Sequence, residues 1–265
     1  MNAYLESIIL GIVQGITEFL PISSDGHLEL SKWLLGDSHS ASESFMMTII
    51  LHFGTTFAII WVFRKMILDL IKNLNTPEGR KFVLLVVISM IPAVIVGLGF
   101  ETFMETFFSG RIVFVGLMLM INGMMLLASD YFPKSDKPIT PIKSLLIGVA
   151  QAIAILPGIS RSGSTITTSL ALGIDRKQAG NFSFLIVVPL LLGKMAKDIL
   201  GGDLVMSQEK ALPLLVGFIC SFVVGIFACQ LVLKVVLKGK LSYFGIYCLI
   251  IGALAIALKL WVIKS

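Results

Sequence analysis

Residues 11–28 read GIVQGITEFLPISSDGHL, and residues 148–165 read GVAQAIAILPGISRSGST. At a constant offset of 137, Gly11 pairs with Gly148, Gln14 with Gln151, Ile16 with Ile153, Ile22 with Ile159, Ser23 with Ser160 and Gly26 with Gly163. Six identities in eighteen positions exceed what this composition gives by chance, so the chain carries an internal repeat. Each stretch begins apolar, breaks at a Pro/Gly/Ser cluster and resumes. The flanking apolar segments, 5–35 and 144–172, are too interrupted to cross a bilayer as single helices and too apolar to be surface loops. The pattern predicts a helix–break–helix hairpin at each place, entering and leaving the membrane on one side. Broken backbone survives at that depth only when it is buried in protein or lines a wet cavity.

Composition agrees with this. Of 265 residues, 56% are hydrophobic and only 14% charged, and the mean hydropathy is +0.95. Soluble domains carry about 25% charged residues, so lipid is the expected solvent. Six uninterrupted runs, at about 44–63, 81–100, 111–129, 180–200, 212–233 and 241–261, predict spanning helices. The net charge of +5 is spread over short loops with no basic aromatic face, which argues for membrane topology and against nucleic-acid binding. Cys220, Cys229 and Cys248 lie in late apolar runs without metal-ligand spacing and read as small buried hydrophobes. The N-terminus lacks a basic leader, and Glu6 precedes the first apolar run, so no cleaved signal peptide is expected.

The expected fold is an all-α integral membrane domain of two repeats: about 5–129 and 144–262, joined by a cytoplasmic linker at about 130–143. Each repeat is one re-entrant hairpin plus three transmembrane helices. Three is odd, so the second repeat is inverted relative to the first, and the two broken tips can meet near the midplane. Arg64, Lys65, Lys72, Arg80, Lys81, Lys134, Lys137, Lys143, Arg176, Lys177, Lys234, Lys238 and Lys240 fall in four loops that alternate correctly to share the cytoplasmic face. Both termini are then outside. Lys194, Lys197, Lys259 and Lys264 run against the rule, at or near the outer face.

The chemistry-bearing residues gather at the breaks. Gln14 and Glu18 share a helix face, and a carboxylate within an apolar run is costly unless paired. Ser23, Ser24, Asp25, Gly26 and His27 follow. Ser24 and His27, one turn apart, suit a nucleophile and a base, while Ser23, Ser24 or Asp25 suits a helix cap. In the second hairpin Ser160, Arg161, Ser162, Gly163, Ser164 and Thr165 open a helix. Free N–H groups, a positive dipole end and a planar guanidinium make an anion site, most naturally for phosphate. Pairing of Arg161 with Glu18 is the structural alternative. His52 and the counterpart Gln151 are candidates for supporting roles beside Gln14 and Asp25. Asn122, Asn181 and Pro189 read as packing and kinking positions.

Together these motifs resemble those of the undecaprenyl-diphosphate phosphatase family, also called the bacitracin-resistance protein family. The family's first motif appears as Gln14, Glu18, Pro21, Ser23, Ser24, Gly26 and His27, and its second, PGxSRSxxT, as Pro157, Gly158, Ser160, Arg161, Ser162 and Thr165. Asp25 departs from the family pattern, where Thr is expected. The resemblance implies removal of the terminal phosphate from a C55 polyprenyl diphosphate, giving the monophosphate that carries cell-wall precursors. It also implies a site opening to the outer face of the bacterial cytoplasmic membrane, and a divalent cation (Mg2+ or Ca2+) with Glu18 as the candidate ligand. On this reading Glu18, Ser24, His27 and Arg161 are catalytic, and Ser23, Gly26, Ser160, Ser162, Gly163 and Thr165 surround the phosphate. Whether Ser24 or water attacks is open, and so is the oligomeric state, a homodimer being one option. A transporter or flippase of a phosphorylated polyprenyl lipid is the alternative from another class. A non-catalytic scaffold is the third.

Overall fold

The computed structural model describes residues 2–36, 41–99, 111–133, 135–201, 208–238 and 240–264. Among the described residues the regular structure is entirely helical. The helices are α1 (Ala3–Thr17), α2 (Ser24–Leu35), α3 (Ala41–Lys72), α4 (Pro77–Gly99), α5 (Ile112–Ala128), α6 (Pro141–Ile153), α7 (Arg161–Ala171), α8 (Arg176–Leu200), α9 (Gln208–Lys238) and α10 (Ser242–Lys264). The chain is an integral membrane protein: five helices, α3, α4, α5, α9 and α10, are long and apolar enough to cross a bilayer. Their outer faces carry rows of exposed apolar residues, such as Leu84, Val87, Ile91, Ile95 and Leu98 on α4 and Ile219, Val223, Phe227 and Leu231 on α9. Water would not tolerate so large an apolar surface.

The sequence predicts a sixth span at 180–200. Helix α8 covers it and runs for 25 residues, but it is not among the five. Asn181, Ser183, Lys194, Lys197 and Asp198 interrupt its apolar surface, and Phe182, Phe184, Leu185, Ile186 and Leu191 are buried against protein. Its surroundings are therefore largely the other helices, α3, α4, α7 and α9.

The two halves have the same order of elements, two short helices around a break and then three long ones. Their contacts are reciprocal: α1 packs on α9, α6 packs on α4, and α5 packs on α10. The counterpart glycines sit at the same kind of place. A Cβ on Gly11 would meet the Gly217 carbonyl of α9 at 2.7 Å, and one on Gly148 would meet the Ser89 carbonyl of α4 at 2.3 Å. Helices α5 and α10 approach through Gly116 against Gly252 and Gly123 against Gly245, where added Cβ atoms would meet the facing carbonyls at 2.5–2.8 Å. Small residues that let backbones touch are how helices associate where lipid supplies no hydrophobic drive.

Between these pairs lie the two breaks, 18–23 and 154–160. Phe19 and Ile22 of the first are buried in the main apolar core with Ile59, Phe63, Phe182 and Phe184. The Phe19 and Phe63 rings lie 6.5 and 5.6 Å from Phe184. A broken backbone is thus held inside protein, as its unpaired polar groups require.

Candidate active site

The broken tips meet. Helices α2 and α7 begin at positions 24 and 161, again 137 apart, and are capped alike. The Gly26 N–H donates to Ser23 Oγ at 3.3 Å, and the Gly163 N–H donates to Ser160 Oγ at 3.1 Å. Serine caps take up one of the free N–H groups at a helix start. Ser23 has a second role, because the Gly158 N–H of the other tip donates to the same Oγ at 3.1 Å. Its backbone sits at φ 69°, the sole non-glycine residue with positive φ among those described. Such a conformation costs on the order of 1–3 kcal/mol and persists only where neighbours over-determine it. Gly158, at φ 106°, lies where a Cβ would strike the Val115 carbonyl at 2.6 Å.

Asn122 ties both tips to α5. Its Nδ2 donates to the Pro21 carbonyl at 2.9 Å, and its Oδ1 accepts from the Ser160 N–H at 3.0 Å. The residue is fully buried. Sequence reasoning assigned it only to packing. The signal was available, since a lone amide in an otherwise apolar membrane helix must find partners.

Glu18 is the hub. Its Oε1 accepts from the Arg161 guanidinium. Its Oε2 accepts from Ser24 Oγ at 2.6 Å and from Gln14 Nε2 at 2.9 Å. His52 Nε2 lies 3.7 Å from Glu18 Oε2 and 3.3 Å from Asp25 Oδ1, and its Nδ1 donates to the Thr48 carbonyl at 2.8 Å. The candidates Gln14, Glu18, Ser24, Asp25, His52 and Arg161 are thus brought into one charged cluster, two carboxylates between an arginine and an imidazole. The pairing of Arg161 with Glu18, the structural alternative to an anion site, is present.

The cluster opens onto a cleft. Glu18, Ser23, Ser24, Asp25, Ser160, Arg161, Ser162 and Thr165 line it, with Gln151 and Ser183. Ser162 Oγ shares a hydrogen bond with Ser160 Oγ at 3.2 Å, and Thr165 Oγ1 shares one with Ser183 Oγ of α8 at 2.6 Å. Ser183 escaped the sequence reading, since a lone serine in an apolar run has no pattern. The apolar wall is Phe19, Ile59, Ile159, Phe184, Val187 and Leu191. Hydroxyls, a guanidinium and a helix start on one side and an apolar wall on the other suit an anion attached to an apolar body.

His27 does not pair with Ser24, against the sequence expectation. Its Nδ1 donates to the Ser23 carbonyl at 2.8 Å, and its Nε2 accepts from the Tyr247 hydroxyl at 3.0 Å. The two rings stack at 5.6 Å. One-turn spacing allowed an approach to Ser24, but a bond back to residue i−4 and a partner on α10 hold the ring elsewhere. Gly26 and Gly163 contribute their N–H groups to the serine caps, leaving close backbone contacts around them. A Cβ on Gly26 would lie 3.0 Å from Gly158 Cα.

Fold and site together define a polytopic membrane protein with a charged, hydroxyl-lined cleft where two broken helices meet. Comparison with known proteins narrows this. The family model described as "Bacitracin resistance protein BacA" matches residues 7–254, and the chain belongs to that family. A protein of Christiangramia forsetii named undecaprenyl-diphosphatase is 48% identical over 254 residues, 95% of this chain and 96% of its own. One of the same name from Bacteroides thetaiotaomicron is 40% identical, covering 97% of this chain and all of the relative. One from Methanococcus vannielii is 38% identical, covering 92% and 96%.

Proposed function

We propose that the protein hydrolyses undecaprenyl diphosphate to undecaprenyl phosphate and inorganic phosphate. Full-length relatives carrying that activity in their names support it. The observation that carries the mechanism is the Ser24 hydroxyl donating to Glu18 Oε2 at 2.6 Å, beside Arg161. Arg161 leaves Glu18 for the phosphoryl oxygens of the bound diphosphate. Glu18 then takes the Ser24 proton as Oγ attacks the terminal phosphorus. The bond from that phosphorus to the bridging oxygen breaks, and the prenyl monophosphate departs. Glu18 passes that proton to the departing monophosphate; it then takes one from the water whose oxygen attacks the phosphoserine phosphorus and returns it to Ser24 Oγ as the serine P–O bond breaks and phosphate leaves. Ser160, Ser162 and Thr165, which line the cleft, surround the anion, and Gly163 supports them through the Ser160 cap. A lipid transporter would need the anion cradle but not a serine bonded to a carboxylate, so the site favours hydrolysis.

A divalent cation belongs to the proposal. Among the described residues no three His, Cys, Asp or Glu side chains converge as a metal cage. The oxygens present do suit an ion held by few ligands and completed by water and substrate. Gln14 Oε1 is buried without a hydrogen-bond partner, on the side chain whose Nε2 bonds Glu18, and Glu18 and Asp25 both approach His52; these three would hold it. A bound cation would supply charge neutralisation at the phosphoryl oxygens.

The membrane arrangement follows the same reading. Helices α1 and α6, of 15 and 13 residues, reach only about 20 Å against a core of about 30 Å. Both are therefore arms of re-entrant hairpins in two inverted repeats. The cleft opens to the outer side of the bacterial cytoplasmic membrane, where the carrier lipid of cell-wall synthesis is recycled. The test is phosphate release from C55 prenyl diphosphate by the purified protein in detergent, with and without chelator. Absence of release with metal supplied would overturn the proposal.

A further inference from the structure

The two glutamines that open the repeats, Gln14 and Gln151, have come to do different work. Gln14 is fully buried, and its Nε2 donates to a carboxylate of the protein itself, Glu18 Oε2, at 2.9 Å. At the equivalent place in the second half, 137 residues on, there is no carboxylate, because the counterpart of Glu18 is Ile155. Gln151 is nevertheless retained as an amide, 1% exposed, in the last turn of α6. Its Nε2 is buried and has no hydrogen-bond partner among the described residues, although the residue lines the same cleft as Ser24, Asp25 and Arg161. A buried amide donor left unsatisfied forfeits the hydrogen bond it had in water, so such a group is rarely idle.

We infer that Gln151 is a substrate-binding residue, its Nε2 donating to a non-bridging oxygen of the diphosphate. The anion it awaits takes the place that Glu18 occupies for Gln14. The donor is neutral, so it adds a directed hydrogen bond beside the charge of Arg161 and the hydroxyls of Ser162 and Thr165 without a further cation to desolvate. The retained orphan is the cost of a site pre-formed for a charged group, and it is relieved when that group arrives.

This assignment rests on the proposed phosphatase reading, and one experiment separates the two. Wild type, Gln151→Leu and Gln151→Glu are purified in detergent and assayed for phosphate release from farnesyl and C55 prenyl diphosphates. The melting temperature of each is measured with and without lipid diphosphate. Leucine keeps the volume and removes the orphan, so Gln151→Leu should melt at or above the wild-type temperature in the free state. Its KM should rise about tenfold, and the upward shift of melting temperature on adding lipid diphosphate should shrink. Gln151→Glu, with the same shape and a negative charge, should lose more. Gln151→Leu with KM within twofold of wild type would overturn the assignment, as would a lower free-state melting temperature with unchanged KM, the mark of a merely structural amide. No phosphate release by wild type with either lipid would instead defeat the phosphatase reading.

Discussion

Ser24 Oγ donates to Glu18 Oε2 at 2.6 Å, across the turn that breaks the first hairpin. A serine and a carboxylate so placed share one proton, and residues that share a proton transfer give losses that do not multiply. Ser24→Ala and Glu18→Gln should each reduce kcat by about 10²- to 10⁴-fold, the span for a positioned base. The double variant should be little worse than the weaker single one. Rapid quenching with terminally labelled substrate should leave label on wild type and none on Ser24→Ala. Substantial turnover by Ser24→Ala would remove the serine as nucleophile and leave water in that role.

Arg161 pairs with Glu18 and must exchange that partner for phosphate. A planar fork can hold two oxygens at once, and an ammonium cannot. Arg161→Lys should therefore fold but lose about 10- to 100-fold in kcat/KM, the equivalent of one charge-assisted hydrogen bond of ~1.5–3 kcal/mol. Near-normal turnover would rule out the clamp.

Much of this was legible in the residues. The two breaks, and the placing of Glu18, Ser24 and Arg161 at them, follow from spacing and from the cost of charge in apolar surroundings, whereas the Ser24–His27 pairing expected from one-turn spacing is not formed. What stayed hidden depends on long-range packing. Asp25 facing His52, Thr165 meeting Ser183, and His27 meeting Tyr247 each join residues on different helices, and no local pattern encodes which rotamer wins. Helix α8 shows the same limit. Its length is that of a span, but whether its surface meets lipid or protein is decided by its neighbours.

The proposed inverted arrangement would put the N-terminus outside and the linker before α6 inside. With the natural cysteines replaced, Asn2→Cys should react with an impermeant thiol reagent in intact cells. Lys137→Cys should react only after the cytoplasmic face is opened. Equal labelling of both in intact cells would break the inverted topology.

Asn122 holds Pro21 of one tip and Ser160 of the other. Asn122→Leu orphans a buried carbonyl and a buried N–H, costing about 2–4 kcal/mol if each contributes ~1–2. The melting temperature in detergent should fall clearly, and kcat should fall with it, because Ser24 and Arg161 lose their common anchor. Asn122→Asp keeps the acceptor for Ser160 but sets a carboxylate against the Pro21 carbonyl, so it should not rescue. A variant as stable and active as wild type would show that the tips are aligned by other contacts.

His27 touches Ser23 and Tyr247, not Ser24, and this bears on what it does. Ser23 is the strained residue of the tip, and its carbonyl accepts from both the His27 N–H, at 3.2 Å, and His27 Nδ1. The imidazole is therefore a bracket that holds the strained turn, braced from α10 by the Tyr247 hydroxyl. If that is its work, His27→Ala should weaken turnover by displacing Ser24 and Gly158 together, yet it should still form labelled phosphoprotein, only more slowly. Tyr247→Phe removes one hydrogen bond and keeps the ring stack, so it should cost about 1 kcal/mol of stability and a few-fold in kcat. In His27→Ala the same Tyr247→Phe change should have little further effect, because the hydroxyl has lost its partner. If His27 instead relayed a proton for Ser24, His27→Ala would abolish labelling as completely as Ser24→Ala. The quenched labelling experiment on these three variants distinguishes a bracket from a base.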